Sequence, residues 1–144
     1  MSVAHAVFEE MYRNDTYSQW LGIELLEASE GICRLKMTVR SDMLNGFGVA
    51  HGAITYGLAD SAFAFACNSY NRISLSIETS VTHAAAVYPG DILTAEARLV
   101  TQSNKIGTFS VLVHNQHAAV VAVFKGICYR TSKEIVDVSS GQGL

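Results

Sequence analysis

The sequence predicts an α+β fold in which a curved antiparallel β-sheet wraps around one long central α-helix. Two observations carry the prediction. From His51 to Asn68 the chain has no proline and almost no polar side chain. Its apolar residues surround the helical axis instead of forming a stripe, the pattern of a helix enclosed by protein on nearly every side. The segments around it alternate in period two or run apolar on both faces, with turn residues between them, as in successive strands. A helix apolar all round must be covered, and a sheet bent over it does so within a chain of this size.

Taken in order, Ala4, Val7, Phe8, Met11 and Tyr12 share one helical face, so a short amphipathic helix opens the chain. A weaker strand from Ile23 to Glu27 precedes Gly31, after which Cys33, Leu35, Met37 and Val39 alternate with Arg34, Lys36, Thr38 and Arg40. The two read as a hairpin. Asn45, Gly46 and Gly48 break regular structure ahead of the central helix. Strands are expected over Ser74 to His83, over Ile92 to Val100 after the Pro89-Gly90-Asp91 turn, over Thr108 to His114 and over Ala118 to Arg130. Val120 to Phe124 is apolar on both faces and belongs inside the sheet. The small polar residues after Lys133 are expected to fray. Without a repeat or linker, residues 1–144 read as a single domain.

Composition narrows the function. The 144 residues, 49% of them apolar, fill one core without outside help. Only 16% are charged and the net charge is -3, so there is no basic stripe and nucleic acid is not an expected partner. The first residues carry acids and no continuous apolar run, and the central helix is short and carries Asp60. Neither a leader nor a membrane span is therefore expected, and the expected compartment is the cytoplasm. Cys33, Cys67 and Cys128 are an odd number with no close pair, which fits buried apolar side chains better than disulfides.

Asp60 is the only side chain charged at neutral pH within the enclosed helix after His51, and an ionised carboxylate removed from water costs several kcal/mol unless compensated. A structural ion pair or hydrogen bond is one reason for it. Catalysis, as nucleophile or as general base on water, is the other. Its face of the helix also carries Ala53, Tyr56, Gly57, Ala64 and Cys67, mostly small residues that something must approach closely.

His51-Gly52-Ala53 opens the helix, where backbone N–H groups lack internal partners and the dipole is positive, a place suited to an oxyanion. The bland alternative is an ordinary helix start after a glycine-rich loop. His51 and Asp60 are nine residues apart, about 13.5 Å along one helix and on opposite sides of it. If both serve one substrate, the site combines the acid of one chain with the helix terminus of another.

Other chemistries fit less well. There is no G-x-S-x-G elbow, Gly46 and Gly48 lack the third glycine of a dinucleotide loop, and His114 and His117 sit in a turn without a cysteine or carboxylate to complete a metal site. No metal and no cofactor is expected.

The order of elements fits the hotdog architecture, and other α+β folds can share it. The run Asn45-Gly46-Phe47-Gly48-Val49-Ala50-His51-Gly52-Ala53, with Leu58-Ala59-Asp60 and Ala62 to Ser69 behind it, resembles the signature of the phenylacetate-degradation (PaaI-type) hotdog thioesterases. The resemblance implies hydrolysis of acyl-coenzyme A thioesters, with coenzyme A as part of the substrate, by homo-oligomers built as dimers of dimers. It implies that Asp60 activates water or attacks the thioester, that the Gly52 N–H binds the oxyanion, that Asn45 and His51 orient the site, and that Ser76 helps position water or substrate. Two departures stand out: Ala53 replaces the usual second glycine and narrows the pocket mouth, and Thr82 to Val87 reads Thr-His-Ala-Ala-Ala-Val where relatives often carry Arg-Pro.

A non-catalytic acyl-CoA binding module and a hotdog enoyl-CoA hydratase are the competing functions. Arg72, Lys105, Lys125 and Arg130 are unranked candidates for the coenzyme's phosphates.

Overall fold

The computed structural model describes residues 1–139. Helices α1 (Val3–Arg13) and α2 (Thr16–Leu21) lead into strands β1 (Glu24–Ser29) and β2 (Ile32–Thr38). A short 3-10 turn (Ser41–Met43) precedes the central helix α3 (Gly52–Asn68). Strands β3 (Ser74–His83), β4 (Ile92–Gln102), β5 (Ile106–His114) and β6 (Val120–Arg130) complete the sheet.

The strands form one antiparallel six-stranded sheet in the order β1-β2-β4-β5-β6-β3. One face is lined by Cys33, Leu35, Met37, Leu93, Ala95, Ala97, Phe109, Val111, Val113 and Phe124, all buried, and α3 lies against it through Leu58, Ala62, Phe63 and Ala66. Phe63 anchors the contact, its ring 5.8 Å from those of both Phe109 and Phe124. The fold is therefore a sheet curved over a buried helix, the hotdog arrangement that the sequence implies.

Three features depart from the sequence reading. The amino-terminal region holds two helices instead of one. At six residues α2 is too short for periodicity to reveal, but it carries caps at both ends: the Asp15 carboxylate accepts the Ser18 N–H at 2.9 Å, and Gly22 closes it in the left-handed region. The tail is not loose throughout, because the Asn71 side chain binds the backbone of Ile135 and Val136; residues 140–144, also expected to fray, lie outside the described residues. Cys67 and Cys128, remote in sequence, lie near each other in the core as free, buried thiols.

Strand β6 is flanked on both sides, as its apolar run implies, yet Val120 and Val123 lie open on the outer face of the sheet. There Leu75, Tyr129 and Ile106 also form an exposed apolar row across β3, β6 and β5. The outer edge of β3 pairs with no strand among the described residues.

Candidate active site

The loop before α3 is built around Asn45. Its side-chain oxygen accepts the N–H groups of Phe47 (2.8 Å) and Val49 (3.4 Å), and its backbone bonds to Val49 and Gly48, so the tip bearing Phe47 stands in solvent. Its side-chain nitrogen makes no bond to a described residue and is free to donate. The chain then enters α3 through His51, whose extended backbone and side chain make it the N-cap.

Capping decides which donors remain. His51 Nδ1 accepts the Ala53 N–H at 3.0 Å, and the His51 carbonyl accepts the Ile54 N–H at 2.9 Å. The Gly52 N–H is left without a partner among the described residues, at the positive end of the helix. Because Nδ1 is an acceptor, a neutral His51 carries its proton on Nε2, which faces away from the cap as a second donor.

Two clefts flank this terminus. One of about 430 Å³ is lined by Gly52, Thr55, His83 and the alanines of the loop after β3. The other, about 290 Å³, lies between His51, Ala53, Ile54 and Met43. The departure from Arg-Pro thus leaves small side chains at the rim, and His83 closes over Gly52: a β-carbon there would stand 3.3 Å from His83 Nε2.

Helix α3 is not enclosed all round. Its residues left partly open, Gly52, Ala53, Tyr56, Asp60 and Ala64, fall at helical spacing on a single stripe, while the rest are buried by the chain itself. Asp60 sits in the middle of that stripe, half-buried. No described residue hydrogen-bonds or ion-pairs with its carboxylate, and burial, followed by the charge of Asp15, pushes its pKa above the ordinary carboxylate range.

Asp15 is nearby because α2 is bolted to α3. Ser18, buried, bonds Asp15 Oδ2 at 2.6 Å and Ser61 at 2.8 Å. The same helix lays Tyr17 over Gly57, and burial and the charge of Asp60 raise the Tyr17 pKa. Sequence reasoning missed α2 and with it Tyr17 and Asp15. The small residue at position 57 was their only trace.

The structure brings Asn45, His51, Gly52 and Ala53 together at one end of α3. It does not bring Asp60 to them within the chain: Asp60 lies two and a half turns further on and lines neither cleft. Ser76 is on the sheet face that looks toward α3, opposite Cys128, but near the other end of the helix; after a bulge at Ile77, Thr79 takes the inward position and bonds Tyr56. Of the coenzyme candidates, Lys125 is paired with Glu78 on the outer face at 3.6 Å. Among the described residues no three His, Cys, Asp or Glu are grouped to hold a metal ion, and no helix is long and apolar enough to cross a membrane.

A free N–H at a helix tip, an unpartnered acid on the open stripe of the same helix, and a sheet curved over it define a hotdog-fold enzyme. The chain belongs to the thioesterase superfamily, whose model matches residues 47–122, and it is PaaI-like within it. It is 36% identical over 127 residues to the acyl-coenzyme A thioesterase PaaI of Escherichia coli, covering 88% of each chain. It is 38% identical over 133 residues to a putative esterase of Archaeoglobus fulgidus, covering 92% of this chain and 86% of the other. The structure of E. coli PaaI, from its phenylacetic acid degradation operon, superposes with a TM-score of 0.87 at 33% identity, covering 92% of this chain and 99% of that one.

Proposed function

We propose that this thioesterase hydrolyses acyl-coenzyme A thioesters, with Asp60 as nucleophile or general base and the Gly52 N–H as oxyanion donor. The observation that carries the reading is the open stripe of α3. A half-buried carboxylate without a partner is costly, and a structural ion pair, the bland explanation for it, is missing among the described residues. In the general-base form a water gives its proton to Asp60 and attacks the carbonyl. The oxyanion rests on Gly52 N–H, and the thiolate leaves as the carbonyl reforms. A thiol has a pKa near 8.5, so the leaving group needs no strong acid. In the nucleophile form Asp60 attacks first and water then opens the acyl anhydride.

Because Asp60 and Gly52 cannot meet on one straight helix, the site is composed across a two-fold axis, the acid from one protomer and the helix tip from its partner. The unpaired edge of β3, the open stripe and the exposed apolar row on the outer face supply surface for a dimer of dimers. The relative from a phenylacetic acid degradation operon makes arylacetyl groups the first acyl class to try, and the expected setting is the cytoplasm.

The test is thiol release from a panel of acyl-CoAs by the wild type and Asp60→Asn. The variant, nearly identical in shape, is expected to stay oligomeric and lose turnover by at least ~10³-fold. A fully active variant sinks the assignment, and a wild type that binds every acyl-CoA without releasing thiol makes the protein a binding module. The hydratase alternative needs a paired imidazole and carboxylate, and among the described residues the only such contact is His5–Glu9 on the surface of α1.

A further inference from the structure

Ten lysines and arginines are spread through a chain of net charge -3. Six of them, Arg13, Arg34, Lys36, Arg40, Arg98 and Lys125, each stand within 4.0 Å of a carboxylate. The other four, Arg72, Lys105, Arg130 and Lys133, have no such partner among the described residues, and all four lie at one end of the molecule, beyond the carboxyl end of α3. Three of them line a single cleft of about 340 Å³ between the β4–β5 turn and the ends of β3 and β6, with Tyr129 and Ser132, and no acid lines it.

The guanidinium groups are held by backbone carbonyls, which fix them without cancelling their charge. Arg72 donates from Nε to Thr131 O (2.8 Å) and from Nη2 to Asn104 O (2.7 Å). Arg130 donates from Nη1 to Ser103 O (2.8 Å) and lies over the Tyr70 ring, 5.4 Å from its centre. Its Nε is buried without any hydrogen bond. The charge of Glu30 is felt at Tyr70, but Glu30 forms no ion pair with Arg130. Lys105 makes no side-chain hydrogen bond or ion pair with any described residue. Rigid, unneutralised cations around a cleft are an anion site, and the planar, forked guanidinium suits phosphate oxygens.

We propose that this cleft binds the phosphate-bearing nucleotide end of the coenzyme A thioester, with Arg72, Lys105 and Arg130 on the phosphates and the half-exposed Tyr129 ring beside the base. The inference rests on the acyl-CoA reading and deepens it. Asp60 to Asn68 is about 12 Å along α3, so the cleft lies beyond the carboxyl end of the helix that carries the acid, where the long pantetheine arm separates nucleotide from thioester. Lys125, outside the cleft and paired with Glu78, takes no part.

Lys105 is the residue to change, since its side chain supports nothing else in the fold. Lys105→Glu is expected to raise KM for acyl-CoA at least tenfold with kcat unchanged, and to leave KM for the matching acyl-pantetheine, which lacks the nucleotide, where it was. Adenosine 3′,5′-bisphosphate, titrated calorimetrically against the whole protein, is expected to bind the wild type and to bind the variant at least tenfold more weakly. Equal KM changes for the two thioesters, or none, overturn the proposal. A bisphosphate held no more tightly than inorganic phosphate makes the cleft a free-phosphate site and overturns the nucleotide assignment. If no thioester is hydrolysed, the acyl-CoA reading fails, while the bisphosphate titration still decides the cleft.

Discussion

The Tyr17 ring of α2 fills the space in which a side chain at Gly57 of α3 would stand. A β-carbon built at Gly57 lies 2.9 Å from Tyr17 Cε2 and 3.0 Å from Cζ. Gly57→Ala therefore forces the phenol away from the helix, one turn before Asp60. Overpacking of this kind costs about 1–3 kcal/mol, and alanine in a helix returns about 1 kcal/mol over glycine. The net expectation is a loss of about 1 kcal/mol in chemical denaturation. In a Tyr17→Ala background the clash is gone and the same change stabilises by up to ~1 kcal/mol. Tyr17 stacks on Trp20, the only tryptophan, so the single variant also shifts the intrinsic fluorescence.

The acid limb of the pH–rate profile reports Asp60. Burial first, and the charge of Asp15 second, raise its pKa, so activity is expected to fall with acidity at a pH above the ordinary carboxylate range. Asp15→Asn removes the second cause and keeps the cap on Ser18, since asparagine caps as well as aspartate. The limb then moves to lower pH with the melting temperature of the protein little changed. An unmoved limb would mean that Asp60 does not govern it.

Stability should carry the same signature with the opposite preference. A carboxyl whose folded pKa lies above its unfolded value disfavours the folded state when ionised. The penalty is full above the folded pKa and is gone once pH falls below the unfolded value, about 3.9. Asp60→Asn is thus expected to raise the melting temperature at pH 7 and to lose that advantage on acidification through the folded pKa. A variant less stable than wild type at neutral pH would mean that the carboxylate has a structural partner.

The elements carrying long periodic patterns were legible in the sequence. Strand β3 has the expected bounds, and α3 differs from its expected span only by His51, which caps it. The strand order was not legible: β3 follows the helix in sequence but pairs with β6 at the far edge, a choice made by the curvature that α3 imposes and not by any local signal. Composition also overstates how far α3 is enclosed. Alanine and tyrosine read as apolar whether their own chain or another surface covers them, so the open stripe through Ala53, Tyr56, Asp60 and Ala64 appears only once the sheet and α2 are in place. The cation cleft was half visible. Arg72, Lys105 and Arg130 could be named as cations, but only the ion pair with Glu78 separates Lys125 from them.

The oxyanion role of Gly52 can be tested by removing one hydrogen from the backbone. Gly52 is the first residue of α3, where proline is well tolerated because its missing N–H has no helical partner, and His51, at φ -60° and ψ 138°, already has the extended backbone that a residue before proline adopts. Gly52→Pro should therefore fold with the helix and its histidine cap intact. Gly52→Ala is the control for added bulk: its β-carbon meets only the exposed ring of His83, 3.3 Å away, and it keeps the N–H. With the thioester substrate, the alanine variant is expected to remain within several-fold of wild type, while the proline variant loses ~10²–10³-fold in kcat at little changed KM. Circular dichroism and oligomeric state should match for all three proteins. If alanine and proline cost the same, the harm comes from crowding at His83 and the donor to the oxyanion lies elsewhere, with His51 Nε2–H the next group to test.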